Sequence, residues 1–266
     1  FLSKNISAKI KNDLINIRGE FNNKINKNFA SIFLDDSLKK YLDDKISLSS
    51  KSDFNIILTK KLKIIDYKLN SELDFEKINI KFKNINLKNY ITNFENKIIL
   101  KKGLLNIKLD NSNKINVKFK AKYILNENQK IKDISLNYSK LNSSEKYKFY
   151  IDLTENELNF KEINFIKKAK EEIFFNLKLS KSKKFYELEN IRIYNNKNLF
   201  NLNNIKLIQK FKIINFKNIE AKFYNKDKFL NDILIKNEKN NIKLVSKKFD
   251  ISRNIERSLK DSNKYN

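Results

Sequence analysis

The sequence contains no cysteine, histidine, proline, methionine or tryptophan, and its only two glycines are Gly19 and Gly103. Without cysteine and histidine, a zinc site of the usual kind, a disulfide and a Cys or Ser–His nucleophile are excluded. Two isolated glycines cannot form a P-loop or a dinucleotide-binding fingerprint. The paired carboxylates lie in polar segments where solvated surface is expected: Asp35/Asp36, Asp43/Asp44 and Glu171/Glu172. We therefore expect no enzyme, with no catalytic, cofactor-binding or metal-binding residues.

Charge of one sign dominates the rest of the composition. The 57 Lys and Arg residues against 31 Asp and Glu give a net charge of +26, but Arg occurs at only four positions. Because Arg is the preferred residue for bidentate phosphate and base contacts, its scarcity disfavours a specific nucleic-acid partner. The abundance of Lys, Asn, Ile and Phe is typical of an A/T-rich genome, in which Lys fills solvent-facing strand positions. Attraction of these lysines to anionic lipid headgroups stays open.

Long apolar runs are also missing, so neither a membrane-spanning segment nor a signal peptide is predicted within these residues. Since the chain begins with Phe1, we expect it to be a segment of a longer protein. A membrane anchor is then expected outside this segment.

What the sequence does contain is a six-residue phrase that recurs every fourteen residues between 160 and 235. Its first, fourth and sixth positions are always apolar, and its third is always Asn, Asp or Glu. The copies are FKEINF (160–165), FFNLKL (174–179), LENIRI (188–193), LNNIKL (202–207), FKNIEA (216–221) and LNDILI (230–235). Apolar residues two apart share one face of a strand, so the period predicts one strand and one turn per copy. At the Asn or acid step we expect a bulge or a switch of face, which Asn and Asp tolerate.

Elsewhere the alternation of apolar and polar residues is almost continuous, and the clearest strand is INVKFKAKYIL (115–125). Helical spacing occurs only near 34–44 and 250–260, where two short helices are predicted. The sequence therefore predicts a mainly β fold: a long antiparallel meander of about fourteen to sixteen strands. A sheet of that length must curl, split or close, and we expect it to curl into a groove or taco-like shape. We expect one continuous structural unit, with strands and a capping helix in 1–50 and the repetitive sheet in 51–266.

The last hundred residues carry two phrases of a known family. Asp152-Leu153-Thr154 lies in a strand that precedes a Lys-containing turn, and Lys248-Phe249-Asp250 precedes a predicted helix. In this order the chain resembles the YhdP-type members of the AsmA-like proteins of Gram-negative bacteria. The resemblance is good over 140–250 and looser over 30–140, and Ser246-Lys247 stands where the family usually has a glycine.

The resemblance implies a large envelope protein with an inner-membrane anchor and a periplasmic β-structure. Its curled sheet would hold phospholipid acyl chains in an apolar groove and carry them between the inner and outer membranes. No catalytic residue comes with the family. The groove candidates are the apolar positions of the strands: Ile115, Val117, Phe119, Tyr123, Phe149, Ile151, Phe175, Leu177, Ile191, Ile193, Ile205, Leu207, Ile219 and Phe223.

Other functions are compatible with the same pattern. If the apolar face closes on itself, the chain is a dry envelope scaffold or interaction module. Nucleic-acid binding through the Lys-rich face is a weaker alternative. An outer-membrane barrel is weaker still, because its lipid-facing exterior would carry few lysines. Two short helices are too few to cover about fifteen strands, so an apolar face left open for lipid is favoured.

Overall fold

A computed structural model describes residues 2–26, 47–82, 87–92, 94–126, 129–183, 185–208, 212–238 and 241–250. Within these ranges the chain is mainly β, and the only helical elements are two single 3-10 turns, Leu87–Asn89 and Lys161–Ile163. The helix predicted at 34–44 lies outside the described residues, and so does the helix predicted at 250–260 from residue 251 onward.

Strands follow one another along the whole described chain. They are β1 Leu2–Lys11, β2 Leu14–Asn26, β3 Ser47–Thr59, β4 Ile64–Lys81, β5 Lys97–Asp110, β6 Lys114–Ile124, β7 Lys132–Leu141, β8 Ser144–Asp152, β9 Leu158–Phe160, β10 Phe165–Lys167, β11 Phe174–Lys181, β12 Tyr186–Tyr194, β13 Leu199–Leu207, β14 Ile213–Asn215, β15 Asn218–Tyr224, β16 Leu230–Glu238 and β17 Asn241–Lys248. Fifteen of them form one sheet: fourteen follow one another in sequence order, and the short β14 pairs with β13 beside this order. The hairpin β9–β10 forms a separate two-stranded sheet. The sheet is open, ending at β1 and β17, and the prediction of a long antiparallel meander is confirmed.

The described chain divides into two compact units. Unit 1 comprises 1–86, 94–151 and 178–183, and unit 2 comprises 87–93, 152–177 and 184–266. Unit 1 thus holds β1 to β8, and unit 2 holds β12 to β17 and the hairpin β9–β10. The division into 1–50 and 51–266 stays a prediction.

Strand β6 shows why these residues form strands. Its Lys118, Lys120 and Lys122 are exposed, whereas Ala121 and Tyr123 between and beyond them are buried. Alternation of this kind lets one face of a strand pack while the other stays in water. The assignment of the two faces from the sequence is confirmed here.

The fourteen-residue phrase forms strands of the main sheet in five of its six copies. FKEINF (160–165) is the exception, because Phe160 ends β9, a 3-10 turn follows, and Phe165 begins β10. Asn164 adopts a left-handed backbone with φ of 54° and closes this turn. The prediction of a strand was therefore wrong for this copy, because the turn brings Phe160 and Phe165 into stacked contact at 5.6 Å between ring centroids.

The Asn or acid step of the phrase behaves differently from copy to copy. Asn204 has a left-handed φ of 51°, as expected. Asn190 and Asn218 instead lie in regular pairs, each opposite Asn203. The Nδ2 of Asn190 donates to the Oδ1 atoms of Asn201 at 2.6 Å and Asn203 at 2.8 Å. Asn190 and Asn218 therefore form no left-handed bulge. On β12 the pairing stays in register from Leu188 to Ile191, so the apolar side switches face there, which is the second of the two expected alternatives.

Candidate functional site

Unit 1 presents one continuous apolar face across β4 to β8. One row of paired residues across these strands consists of Leu73, Leu105, Phe119, Leu136 and Phe149. The next row consists of Ser71, Ile107, Val117, Tyr138 and Tyr147. Cross-strand neighbours on one face lie close enough to pack together, so these rows make a single surface. The surface continues over β1 to β3 through pairs such as Phe54 with Leu69 and Ile10 with Ile15, and we call the whole of it the apolar face. The pairing places five of the groove candidates on this face: Ile115, Val117, Phe119, Phe149 and Ile151.

Burial of the apolar face changes along the strand direction. At one end Phe75, Ala121, Ile134 and Ile151 are each less than 9% exposed, and Tyr123 is 2% exposed. The two rows described above are half-buried. At the opposite end Ile10 is 72% exposed and Ile64 is 57% exposed. One end of the face is therefore closed and the other is open to solvent.

The two glycines of the chain both lie within this face. Gly103 pairs with Phe75, and Gly19 pairs with Phe54. A Cβ added to Gly103 would stand 1.9 Å from Cζ of Phe75, and one added to Gly19 would stand 2.8 Å from the Phe54 ring. Each ring therefore occupies the space that a side chain would need. Glycine is required at both positions by close approach, with no left-handed backbone involved.

Hydroxyl groups interrupt the apolar face on β3 and β4. Ser50 and Ser52 are 6% and 3% exposed. The Oγ atoms of Ser52 and Ser71 lie 2.8 Å apart and share a hydrogen bond, while Oγ of Ser50 has no hydrogen-bond partner within the described structure. Since a buried hydroxyl without a partner is costly, this patch is the least favourable part of the face.

A charged cluster borders the apolar face at its open side. The hydroxyl of Tyr147 donates to Glu145, and Nζ of Lys181 lies 3.1 Å from Oε1 of the same carboxylate. The Tyr138 and Tyr147 rings pack with centroids 4.9 Å apart. The Tyr147 hydrogen bond and then the Lys181 contact hold the pKa of Glu145 below its ordinary value, whereas burial raises the pKa of Tyr138. The cluster comes from three strands, and no sequence spacing indicated it.

We expect Tyr147→Phe to weaken the acid sensitivity that Glu145 confers. A lowered carboxyl pKa stabilises the fold fully above the ordinary pKa, and this contribution is lost as pH falls through the lowered value. The wild-type urea midpoint should therefore drop more steeply than that of the Tyr147→Phe variant as pH falls through this range. Tyr67→Phe, on β4 of the same unit, serves as the control, and equal pH profiles for Tyr147→Phe and wild type would contradict the assignment.

Unit 2 carries an apolar face of its own. One row consists of Ile191, Leu202, Ile219, Ile235 and Leu244. Beside it lies a second row of Ile193, Phe200, Ala221, Ile233 and Ser246. Phe223 follows and is 1% exposed, and its ring contacts Phe200 at 5.0 Å and Phe165 at 5.8 Å.

Four of the predicted groove residues lie outside these two rows and their continuation. Ile205 and Leu207 lie on β13 after Asn204, and Phe175 and Leu177 lie on β11. Ile205 and Leu207 are buried and pair with Leu188 and Tyr186, beyond the left-handed Asn204. On β11, Phe174 packs on the Tyr194 ring at 5.6 Å and Asn176 donates to the Tyr194 hydroxyl at 3.1 Å. Phe175 and Leu177 alternate with these two residues and so lie on the other face of the strand.

A buried lysine organises the loop that follows β8. Lys167 is 1% exposed, and its Nζ donates to the carbonyl oxygens of Leu153 at 3.0 Å, Thr154 at 2.6 Å and Asn156 at 2.7 Å. Oδ1 of Asp152 accepts a hydrogen bond from the Thr154 backbone N–H at 2.9 Å. The Asp-Leu-Thr phrase therefore shapes a loop that Lys167 holds together, which is a structural role.

The second family phrase is structural as well. Oδ2 of Asp250 accepts from Nδ2 of Asn225 at 2.8 Å, and the Asp250 N–H donates to Oδ1 of Asn231 at 3.0 Å. The Asn225 side chain also accepts from the N–H groups of Asp227 and Phe229 and so forms the β15–β16 turn. This turn and the one at 195–198 border an open pocket of about 770 Å³ in unit 2. Its amides are thus engaged in shaping turns.

Among the described residues no group of three or more acidic side chains is placed to hold a metal ion. None of the helical elements in the described ranges has the length and apolarity to cross a membrane. Comparisons of the chain with protein-family models, with curated proteins and with solved structures find no match. The AsmA-like resemblance therefore stays a prediction from the quoted phrases.

Proposed function

We propose that the apolar face of unit 1 binds the acyl chains of phospholipids. The chain would then be a segment of an envelope protein, on the periplasmic side of the inner membrane, that moves phospholipid toward the outer membrane. Its role is binding without catalysis, and its membrane anchor lies outside this segment. The observation that carries the proposal is the pair of apolar rows through Val117 and Phe119, which run across five strands and stay half-exposed.

The chemistry of the two faces supports the proposal. Half-exposed apolar rows of this length are unfavourable in water unless a ligand or another surface covers them. The opposite face carries Lys118, Lys120 and Lys122, which suit contact with anionic headgroups or with water. Both family phrases stabilise turns or loops and so have structural roles. The functional property that the AsmA-like resemblance implies for this chain is therefore the apolar surface.

Closure at one end of the face favours a second candidate, a dry scaffold. The residues Phe75, Ala121, Ile134 and Ile151 are packed as tightly as a protein core. If the half-exposed rows are covered by protein in the same way, the sheet serves as an interaction module. The two candidates differ in one property, which is whether lipid reaches Val117.

A photocrosslinking amino acid at Val117 tests this difference against one at Lys118. The two positions are adjacent on β6 but lie on opposite faces. We expect lipid adducts from position 117 and few or none from position 118 in cells, and phospholipid in mass spectra of the purified chain. Equal crosslinking at both positions, or no lipid in either measurement, would contradict lipid binding and favour the dry scaffold.

A further inference from the structure

Strand β17 is the last strand of the sheet, and its outer edge has no neighbouring strand among the described residues. All eight of its residues are exposed, including three apolar ones: Ile242 at 69%, Leu244 at 56% and Val245 at 42%. A row of free backbone N–H and C=O groups beside exposed apolar side chains is the geometry that accepts an added strand.

The two faces of β17 differ in chemistry. Leu244 pairs with Ile235 and continues the apolar row of unit 2, and Ile242 lies on the same face. Lys243 lies on the other face, directly opposite Lys236, which in turn pairs with Asn218. Their row continues through Asn203 and Asn190, so it contains two positive charges and no carboxylate. Glu238 is the carboxylate of the next pair on this face, where it lies opposite Asn241 and diagonal to Lys243. Like charges directly across a ladder are destabilising.

The chemistry of these two faces determines which kind of strand can pair with the outer edge of β17. A strand beside β17 must present apolar residues next to Ile242 and Leu244, and a carboxylate next to Lys243 relieves the repulsion from Lys236. Because side chains alternate between faces, such a strand alternates apolar and acidic residues. We propose that the β17 edge binds an extended segment of a partner protein in which apolar and acidic residues alternate.

A second copy of this chain does not fit the edge. The opposite end of the sheet is β1, which carries Lys4, Lys9 and Lys11 and no acidic residue. Pairing of β17 with β1, or with β17 of another copy, would bring no carboxylate next to Lys243, because neither strand contains one. The lysines thus disfavour self-association and favour an acidic partner, which is how specificity by repulsion works. A register shift between Ser246 and Lys248 limits the pairing surface to the first part of the strand.

Fluorescence anisotropy with labelled eight-residue peptides tests the proposal on the full chain. A peptide that alternates valine and glutamate should bind, and one with four valines followed by four glutamates should bind far more weakly. Lys243→Glu should lower the affinity for the alternating peptide about tenfold or more. The Lys243→Glu variant should instead bind a peptide that alternates valine and lysine. This gain of binding would show that the variant is folded.

Lys226→Glu is the matched control, because this exposed lysine lies at the β15–β16 turn and its loss changes the net charge equally. Its effect should stay below about twofold, and hydrogen exchange should show protection by the peptide confined to 241–248. Equal losses in both variants, equal binding of the block peptide, or protection elsewhere would overturn the proposal. So would binding of anionic vesicles that Lys243→Glu abolishes while no peptide binds, since the edge would then contact membrane. The test is independent of lipid binding at the apolar face of unit 1.

Discussion

Replacing Lys167 with methionine is expected to lower the free energy of unfolding of unit 2 by about 3 kcal/mol or more. The lysine is buried and donates to three carbonyl oxygens, and the residues that carry them are buried as well. Methionine fills similar space but donates no hydrogen bond, and each buried acceptor left unpaired costs about 1–3 kcal/mol. Hydrogen exchange at the backbone amides of unit 2, measured as a function of urea concentration, reports the loss.

Lys168→Met provides the control for this experiment. Lys168 is the adjacent residue, it is exposed, and its replacement removes the same charge from the chain. Its free energy of unfolding should stay within about 0.5 kcal/mol of wild type. Equal free energies for Lys167→Met and Lys168→Met would show that the three carbonyls find other donors.

Gly103→Ala is expected to destabilise unit 1 by about 1–3 kcal/mol, because the added methyl group overlaps the Phe75 ring. Phe75 cannot move aside easily, since it is 6% exposed and its ring stacks on Phe119 with centroids 6.3 Å apart. A shift of the ring would open the contact between β4 and β6 residues across Gly103. Chemical unfolding measures the loss as a lower midpoint.

A double-mutant cycle separates this overlap from the general cost of substituting a strand glycine. In a Phe75→Leu background the smaller side chain leaves room for the methyl group. Gly103→Ala should then cost at least about 1 kcal/mol less than in wild type. Additive effects of the two substitutions would show that the Phe75 ring does not oppose a side chain at position 103.

The sequence was sufficient to predict the fold class, because alternation is a local signal. Strand β6 shows this best, since the faces of Val117 and Lys118 follow from a period of two. The FKEINF copy shows the limit. Its letters match the phrase, but contacts of Phe160 and Phe165 with Phe200 outweigh strand propensity and form a hairpin instead. Long-range packing of this kind cannot be predicted from a window of fourteen residues.

The candidate site was predicted in part for the same reason. The apolar residues of β6 and β8 share a face, as the two-residue alternation along each strand predicts. The alternation of the sequence could not show that Tyr123 is buried while Val117 is half-exposed, because burial depends on what packs over each row. The roles of Lys167 and Gly103 were also missed, since their partners are distant in sequence or on the neighbouring strand. One usable signal existed: the only two glycines each face a phenylalanine.

The order of the strands in the sheet has a consequence for how the chain is made. Each main-sheet strand from β2 to β8 pairs with the strand that was synthesised just before it. Such a ladder can grow by addition at one end, and contacts between near neighbours close small loops at low entropic cost. The first strands therefore do not need the last ones in order to pair. The step from β8 to β11 differs, because the hairpin β9–β10 intervenes and a longer stretch must emerge before the next strand can join. The step from β13 to β15 likewise spans the short β14.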